Sequence, residues 1–311
     1  MIHNKTTIDF APIQGYTDAI YRTTHNRIFG GINNYYTPFI RIENGEIRRK
    51  DIRDILPENN LDISLIPQII FKNIEEFDIL VKQISNYGYN KIDLNICCPF
   101  PMQTNRGRGS ALLSNPEIFS NILKHTESYP EIKFSLKMRL GLSSPSEIIN
   151  LIPIINSTYL SHITIHPRIA TQQHKGELNL SVLKLFLNEC KHKVIYNGDI
   201  SCIDDIKLIN QQFSNISEIM IGRGLLSRPS LANEYATDNI CNDTELLQKI
   251  MLMHSEIYNY YCQTLQGENQ ILMKIKPFWE YLEPTISRKI YKQIKKSINI
   301  RKYEQAINQI T

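Results

Sequence analysis

The sequence predicts an α/β chain, a (β/α)8 TIM barrel followed by a small all-helical C-terminal domain. Three observations carry this. Eight short apolar runs recur up to residue 222, each followed by a helical pattern. The runs read as continuous rather than alternating, as in parallel strands buried on both faces. Beyond about residue 236 only helical patterns remain.

The predicted strands are IDFAPI (8–13), YYTPFI (35–40), LIPQIIF (65–71), KIDLNI (91–96), KFSLKMRL (133–140), SHITIH (161–166), KVIYNG (193–198) and EIMIG (218–222). Of the intervening helices, 73–88 opens with Asn73 as N-cap and Glu76 three residues on, a capping-box variant, and stops at Gly88. The helix within 114–128 has Pro116 near its first position. A doubly wound sheet would place G-x-G-x-x-G after the first strand; QGYTD stands there instead. The polar stretch 236–245 marks a boundary, which puts the barrel domain at 1–240 and the helical domain at 245–311. Helices are expected over 246–265, 269–283 and 286–310. In the last, Ile286, Ile290, Ile294 and Ile298 form one apolar stripe, and Arg288, Lys289, Lys292, Lys295, Lys296, Arg301 and Lys302 fill much of the rest. Such a run is most often a solvated face. Concentrated in a small helical domain, it equally suits a phosphate backbone.

Composition narrows the class. The 311 residues are 42% hydrophobic and 21% charged, as in globular proteins. No apolar run is long enough for a membrane span, and MIHNKTTIDF has no signal-peptide core. Six cysteines without a CxxC pair indicate neither a zinc ribbon nor a thioredoxin-like site, so a reduced cytoplasmic protein is expected. A net charge of +4 permits an anionic partner without requiring one.

In a parallel barrel, chemistry sits at the C-terminal strand ends. Those ends carry Gln14–Asp18, Gln68, Asn95 with Cys97-Cys98-Pro99, Lys137 and Arg139, His166-Pro167-Arg168, Asn197-Gly198-Asp199 and Gly222-Arg223-Gly224. An inward Lys137 needs an anionic partner, because a buried unpaired charge is costly. Glycines after the last two strands suit a phosphate, with Arg168 and Arg223 nearby. The amides of Gln68, Asn95 and Asn197 suit the polar edge of a flavin or nucleobase. Pro99 biases Cys98 to extended geometry, so Cys98 is expected to begin a loop over the barrel mouth rather than point into the core. A cationic pocket would lower its pKa, although a thiol acting as acid need not be a thiolate. No carboxylate pair, HExxH or other metal-ligating pattern appears.

The ordered series APIQGYTDAIYR (11–22), IPQI (66–69), DLNICCP (93–99), NRGRGSALL (105–113), LKMRLG (136–141), IHPR (165–168), VIYNGDI (194–200) and IMIGRGLLSRP (219–229) resembles the tRNA-dihydrouridine synthases. KIKPFWEYL (274–282) is similar to part of that family's C-terminal domain. The resemblance implies an FMN-bearing barrel, NADPH as reductant and a helical domain that binds tRNA. It implies hydride delivery to C6 of a uracil flipped out of the D-loop, and protonation of C5 by a cysteine. That cysteine is Cys98. The implied FMN ligands are Pro12, Gln68, Lys137, His166, Asn197, Asp199, Gly222 and Arg223. Asn95, Arg139 and Arg168 are implied beside substrate or cofactor, and Lys274, Lys276, Arg288, Lys292, Lys295 and Lys296 on the tRNA. NRGRG and the tail lean to the subgroup that modifies uridine 16, and a monomer is expected. Two positions depart from the family pattern: Cys97 replaces a usual glycine, and Pro167 a usual Gly or Ala. The other readings are a flavin barrel reducing a free pyrimidine or enone, which leaves the basic tail unexplained, and an RNA-binding protein whose catalysis has decayed.

Overall fold

The computed structural model describes residues 5–310. Its main sheet is parallel throughout. The strands are β1 (Thr7–Phe10), β2 (Tyr35–Tyr36), β3 (Leu65–Ile66 and Gln68–Ile69), β4 (Lys91–Ile96), β5 (Lys133–Gly141), β6 (Ile163–Ile169), β7 (Val194–Tyr196) and β8 (Glu218–Ile221). Pro67, which has no N–H to donate to a ladder, separates the two halves of β3. The order starts at the first half of β3 and runs β2, β1, β8, β7, β6, β5, β4 to the second half of β3. The sheet therefore returns to the strand it started from, and all eight predicted strands are present.

Their pattern differs from the expectation of continuous apolar runs. Asp93 pairs with Ser135, Asn95 with Lys137 and Arg139 with His166 in the ladders, so polar positions align across β4, β5 and β6. The intervening Ile92, Leu94, Phe134, Leu136, Met138, Ile163 and Ile165 belong to the main apolar core. Apolar residues thus face the helices and polar ones face the barrel axis, alternating with period two. A smaller apolar layer of Ala11, Tyr36, Ile66, Ile195 and Met220 is separate from that core. Pro167 lies in β6 beside the irregular register between Arg139 and Gly141, where a missing N–H is tolerated.

The helices are α1 (Ala19–Ile28), α2 (Arg49–Ile55), α3 (Ile74–Ser85), α4 (Pro101–Thr104), α5 (Pro116–His125), α6 (Glu147–Asn156), α7 (Leu180–Glu189), α8 (Ile203–Gln212), α9 (Arg223–Ser227) and α10 (Leu231–Thr237). Asn73 caps α3 through the Glu76 N–H, as expected. The Glu76 carboxylate does not complete a capping box. It accepts from the Lys72 N–H and pairs with buried Arg108 at 2.6 Å. An unpredicted hairpin, Ile42–Glu43 with Glu46–Ile47, turns on Asn44 and Gly45, both at positive φ.

The C-terminal helices are α11 (Asp243–Thr264), α12 (Glu268–Ile275), α13 (Glu283–Ile286), α14 (Arg288–Lys296) and α15 (Ile300–Ile307). The single helix expected over 286–310 is divided. Ser287 has φ 73° and caps α14, Ser297 is extended, and Asn299 caps α15. Ile286 and Ile294 are buried, but Ile298 is 70% exposed, so the apolar stripe ends at the break. Trp279, His254 and Tyr303 form the buried centre of this region.

Candidate active site

The strand ends open into a cavity of about 730 Å³. Pro12, Gln68, Asn95, Cys98, Lys137, Arg139, His166, Asn197, Asp199, Gly222 and Arg223 all line it. Arg168 does not. It lies buried behind the wall, where it pairs with the Asp199 carboxylate and donates to the Gly176 carbonyl. Arg223 reaches the same carboxylate at 3.0 Å. Asp199 is thus held ionised by Arg168 above all, below the usual carboxylate range. Its carboxylate serves these two arginines, so a phosphate at this end would meet Arg223 and backbone rather than that side chain. Gly224 is required by packing: a Cβ there would stand 2.0 Å from the Ile200 carbonyl oxygen.

Lys137 and Arg139 are both buried, and neither has a carboxylate partner among the described residues. Lys137 Nζ donates to Asn197 Oδ1 at 2.8 Å and contacts Cys97 Sγ at 3.4 Å. Arg139 donates to the carbonyls of Cys97 and Ile169. The described residues therefore give Lys137 no direct ion pair; the Asp93 carboxylate acts on it without contact. Two buried cations without an ion pair among the described residues leave the cavity suited to an anionic ligand. Burial and these neighbouring cations also push His166 far below its ordinary range. His174, on the cavity wall, is lowered to about 4 by the same causes. Both rings are neutral at pH 7, so they offer polar edges without further charge.

Cys98 combines the two placements the sequence opposed. It is buried against Phe39 and Ile70, yet it lines the cavity. Its N–H donates to Asn95 Oδ1 at 2.9 Å, and its carbonyl accepts from Ser110 through both N–H and Oγ. The expected fall in pKa does not occur. Burial pushes the thiol up to about 11, outweighing the Phe100 N–H and the cations Arg139 and Lys137. Cys98 is a thiol at neutral pH, which suits a proton donor and not a nucleophile. Cys97 adjoins it, and its N–H shares the same Asn95 oxygen at 3.0 Å.

Beyond Tyr16 of the Gln14–Asp18 strand end, the wall includes Tyr281, Phe100 and His174, which strand-end reading does not reach. Tyr16 and Tyr281 meet edge to face with centroids 5.3 Å apart, so the C-terminal region contributes to the cavity. Phe100 and His174 also line it. Asp93, Gly109 and Ser110 support the floor from behind. They lie within the DLNICCP and NRGRGSALL motifs, which were the available signal. Lys274 lies outside the cavity and is held by Asp18 at 2.9 Å. Lys276 donates to the Lys295 and Ser297 carbonyls. Arg288, Lys292, Lys295 and Lys296 are exposed on α14.

The family model described as dihydrouridine synthase matches residues 9–310. The chain belongs to the dihydrouridine synthase family. It is 27% identical over 255 residues to a tRNA-dihydrouridine(16) synthase of Neisseria meningitidis, covering 78% of this chain and 76% of that one. A tRNA-dihydrouridine(16) synthase of Pseudomonas putida is 28% identical over 241 residues, covering 74% and 73%. The tRNA-dihydrouridine synthase B of Pasteurella multocida is 28% identical over 183 residues, covering 56% and 55%. In fold, this dihydrouridine synthase is similar to a morphinone reductase, with TM-score 0.55, 8% identity and coverage of 76% and 87%. It is likewise similar to the old yellow enzyme of Trypanosoma cruzi, with TM-score 0.54, 9% identity and coverage of 76% and 89%. No helix among the described residues is long and apolar enough to cross a membrane.

Proposed function

We propose that this dihydrouridine synthase reduces a uridine in the D-loop of tRNA to 5,6-dihydrouridine, with FMN as resident cofactor and NADPH as reductant. One observation supports the reading most: a protonated thiol, Cys98, shares a cavity with two buried cations that form no ion pair among the described residues. The donor set fits a flavin. Lys137, Gln68 and His166 suit the carbonyl-bearing ring, Arg223 with the backbone at Gly222 suits the phosphate, and the volume lies within the roughly 300–1,000 Å³ of small-molecule sites. Bound there, a flavin supplies the hydride that adds to C6 of the pyrimidine.

The chain's own residues supply the rest. Hydride addition leaves negative charge spread over C5 and the C4 carbonyl oxygen. Lys137 and Arg139, which line the same cavity, stabilise that charge and lower the barrier. Cys98 Sγ–H then gives its proton to C5, so one hydride and one proton saturate the C5=C6 bond and a thiolate remains to be reprotonated. The raised thiol pKa favours reprotonation. A base inside folded tRNA reaches such a floor only when extruded. The exposed lysines of α14 suit the phosphate backbone while that happens. Relatives named for position 16 make uridine 16 the site we assign.

Mass-spectrometric mapping of dihydrouridine in tRNA tests this, using a deletion strain with and without the chain. Dihydrouridine at position 16 should return with the wild-type chain. Its absence at every D-loop position would sink the reading.

A further inference from the structure

Beneath the cavity, Asp93 on β4 is fully buried and does not line the wall. Its Oδ2 accepts from Gln68 Nε2 at 2.7 Å and its Oδ1 from Ser135 Oγ at 2.6 Å. Both partners are neutral. Gln68 Oε1 accepts from Asn95 Nδ2 at 2.6 Å. Asn95 Oδ1 accepts the N–H groups of Cys97 and Cys98 at 3.0 and 2.9 Å. Four links therefore run one way, from a carboxylate through two side-chain amides to the backbone that carries the acid.

The geometry assigns Asp93 as the positioning residue that sets the direction of both amides and so fixes the Cys98 backbone beneath the substrate. This assignment rests on the proposed uridine reduction. An ionised carboxylate only accepts, so Gln68 must turn its NH2 towards it. That leaves the Gln68 oxygen for Asn95, whose NH2 it takes, and the Asn95 oxygen for the two loop N–H groups. With an amide at position 93, the relay loses its fixed direction. Should Gln68 reverse, Asn95 reverses with it, and its NH2 faces two N–H donors. Two buried loop donors are then unpaired, and each such loss is a substantial penalty. Burial raises Asp93 to about 6, with Ser135, Gln68 and Lys137 opposing, so the carboxylate is ionised at neutral pH. Gln68 and Asn95 are expected at the cavity in their own right; Asp93 acts only through them.

The test uses full-length, flavin-loaded Asp93→Asn and reads two half-reactions separately. Uridine reduction by pre-reduced enzyme at saturating tRNA should fall about 10- to 100-fold, as the two broken hydrogen bonds at the acid's backbone imply. Bleaching of the flavin by NADPH, which does not use Cys98, should stay within twofold. If uridine reduction stays within threefold of wild type, or both half-reactions fall together, the assignment is overturned. Where Asp93→Asn does not retain flavin, amide hydrogen exchange at Cys97 and Cys98 decides, measured on the full-length flavin-free wild type and variant. Exchange at both amides should be faster in the variant, because their acceptor on Asn95 is no longer held; unchanged exchange overturns the assignment. Loss of dihydrouridine formation by wild-type enzyme would instead count against the proposed function itself.

Discussion

Gly109 packs so closely against Cys98 that a methyl group on its Cα would stand 2.8 Å from the Cys98 carbonyl oxygen and 3.0 Å from the Cys98 Cβ. Gly109 also has φ 60°, where a side chain adds strain. Arg108, beside it, is anchored to Glu76 on α3 and donates to the Ile42 carbonyl. The loop that backs the thiol is thus tied to the barrel's outer helices. Gly109→Ala should displace Cys98 and reduce dihydrouridine formation at least about tenfold, a shift worth roughly 1.4 kcal/mol in the barrier. Flavin content should be unchanged. An alanine variant with wild-type turnover would show that the close packing does not hold the acid.

Cys97 and Cys98 should separate cleanly. Cys98→Ala is expected to keep its yellow colour and lose about 10²- to 10⁴-fold in turnover, the usual effect of removing a proton donor. Cys97→Ala keeps its backbone N–H on Asn95 and gives up only the sulfur next to Lys137, so it should stay active. Steady-state assays on unmodified tRNA decide this. Equal losses in both variants would remove Cys98 from its assigned role.

The basic face of α14 should act through phosphates. Replacing Lys292, Lys295 and Lys296 together with alanine should weaken tRNA binding and flatten its salt dependence. Each phosphate left without its lysine lowers the slope of log affinity against log salt by about one. Fluorescence titrations at several salt concentrations measure it. An unchanged slope would mean that the face is only solvated surface.

His254 should mark the acid limit of stability in the C-terminal region. Trp279 Nε1 donates to the Tyr303 hydroxyl, which also hydrogen-bonds His254 Nε2 at 2.6 Å. Burial lowers His254 from 6.5 to about 3, so the folded ring is neutral. The unfolded chain then binds the proton first. This contribution is fully present above pH 6.5 and is lost as pH falls towards 3. His254→Gln should lose about 1 kcal/mol at pH 7, from one altered buried hydrogen bond. It should also show a shallower fall in stability than wild type as the medium is acidified from neutrality. Urea melts at neutral and at mildly acidic pH give the comparison, and parallel falls would refute it.

Much of the barrel was legible because its strands are short, apolar on their outer faces and punctuated by Gly, Pro and Asn. Their alternation was not. KIDLNI and KFSLKMRL place a polar side chain at every second position, yet after the exposed Lys91 and Lys133 all of these, Asp93, Asn95, Ser135, Lys137 and Arg139, are buried. In the tail the obstacle is local. The four-residue isoleucine spacing continues across Ser287 and Ser297, where caps and a positive φ interrupt the helix. Spacing alone carries no record of such a break.

By itself, the sequence determined the strand count, the ordered motifs and the identity of the polar residues at the strand ends. These depend on side-chain type and on neighbours along the chain. Only the tertiary structure decided that Cys98 is a high-pKa thiol, that Lys137 and Arg139 form no ion pair among the described residues, and that Asp93, Gln68 and Asn95 point one way. Desolvation, charge pairing and hydrogen-bond direction depend on groups brought together from different strands, and that proximity exists only once the barrel has closed.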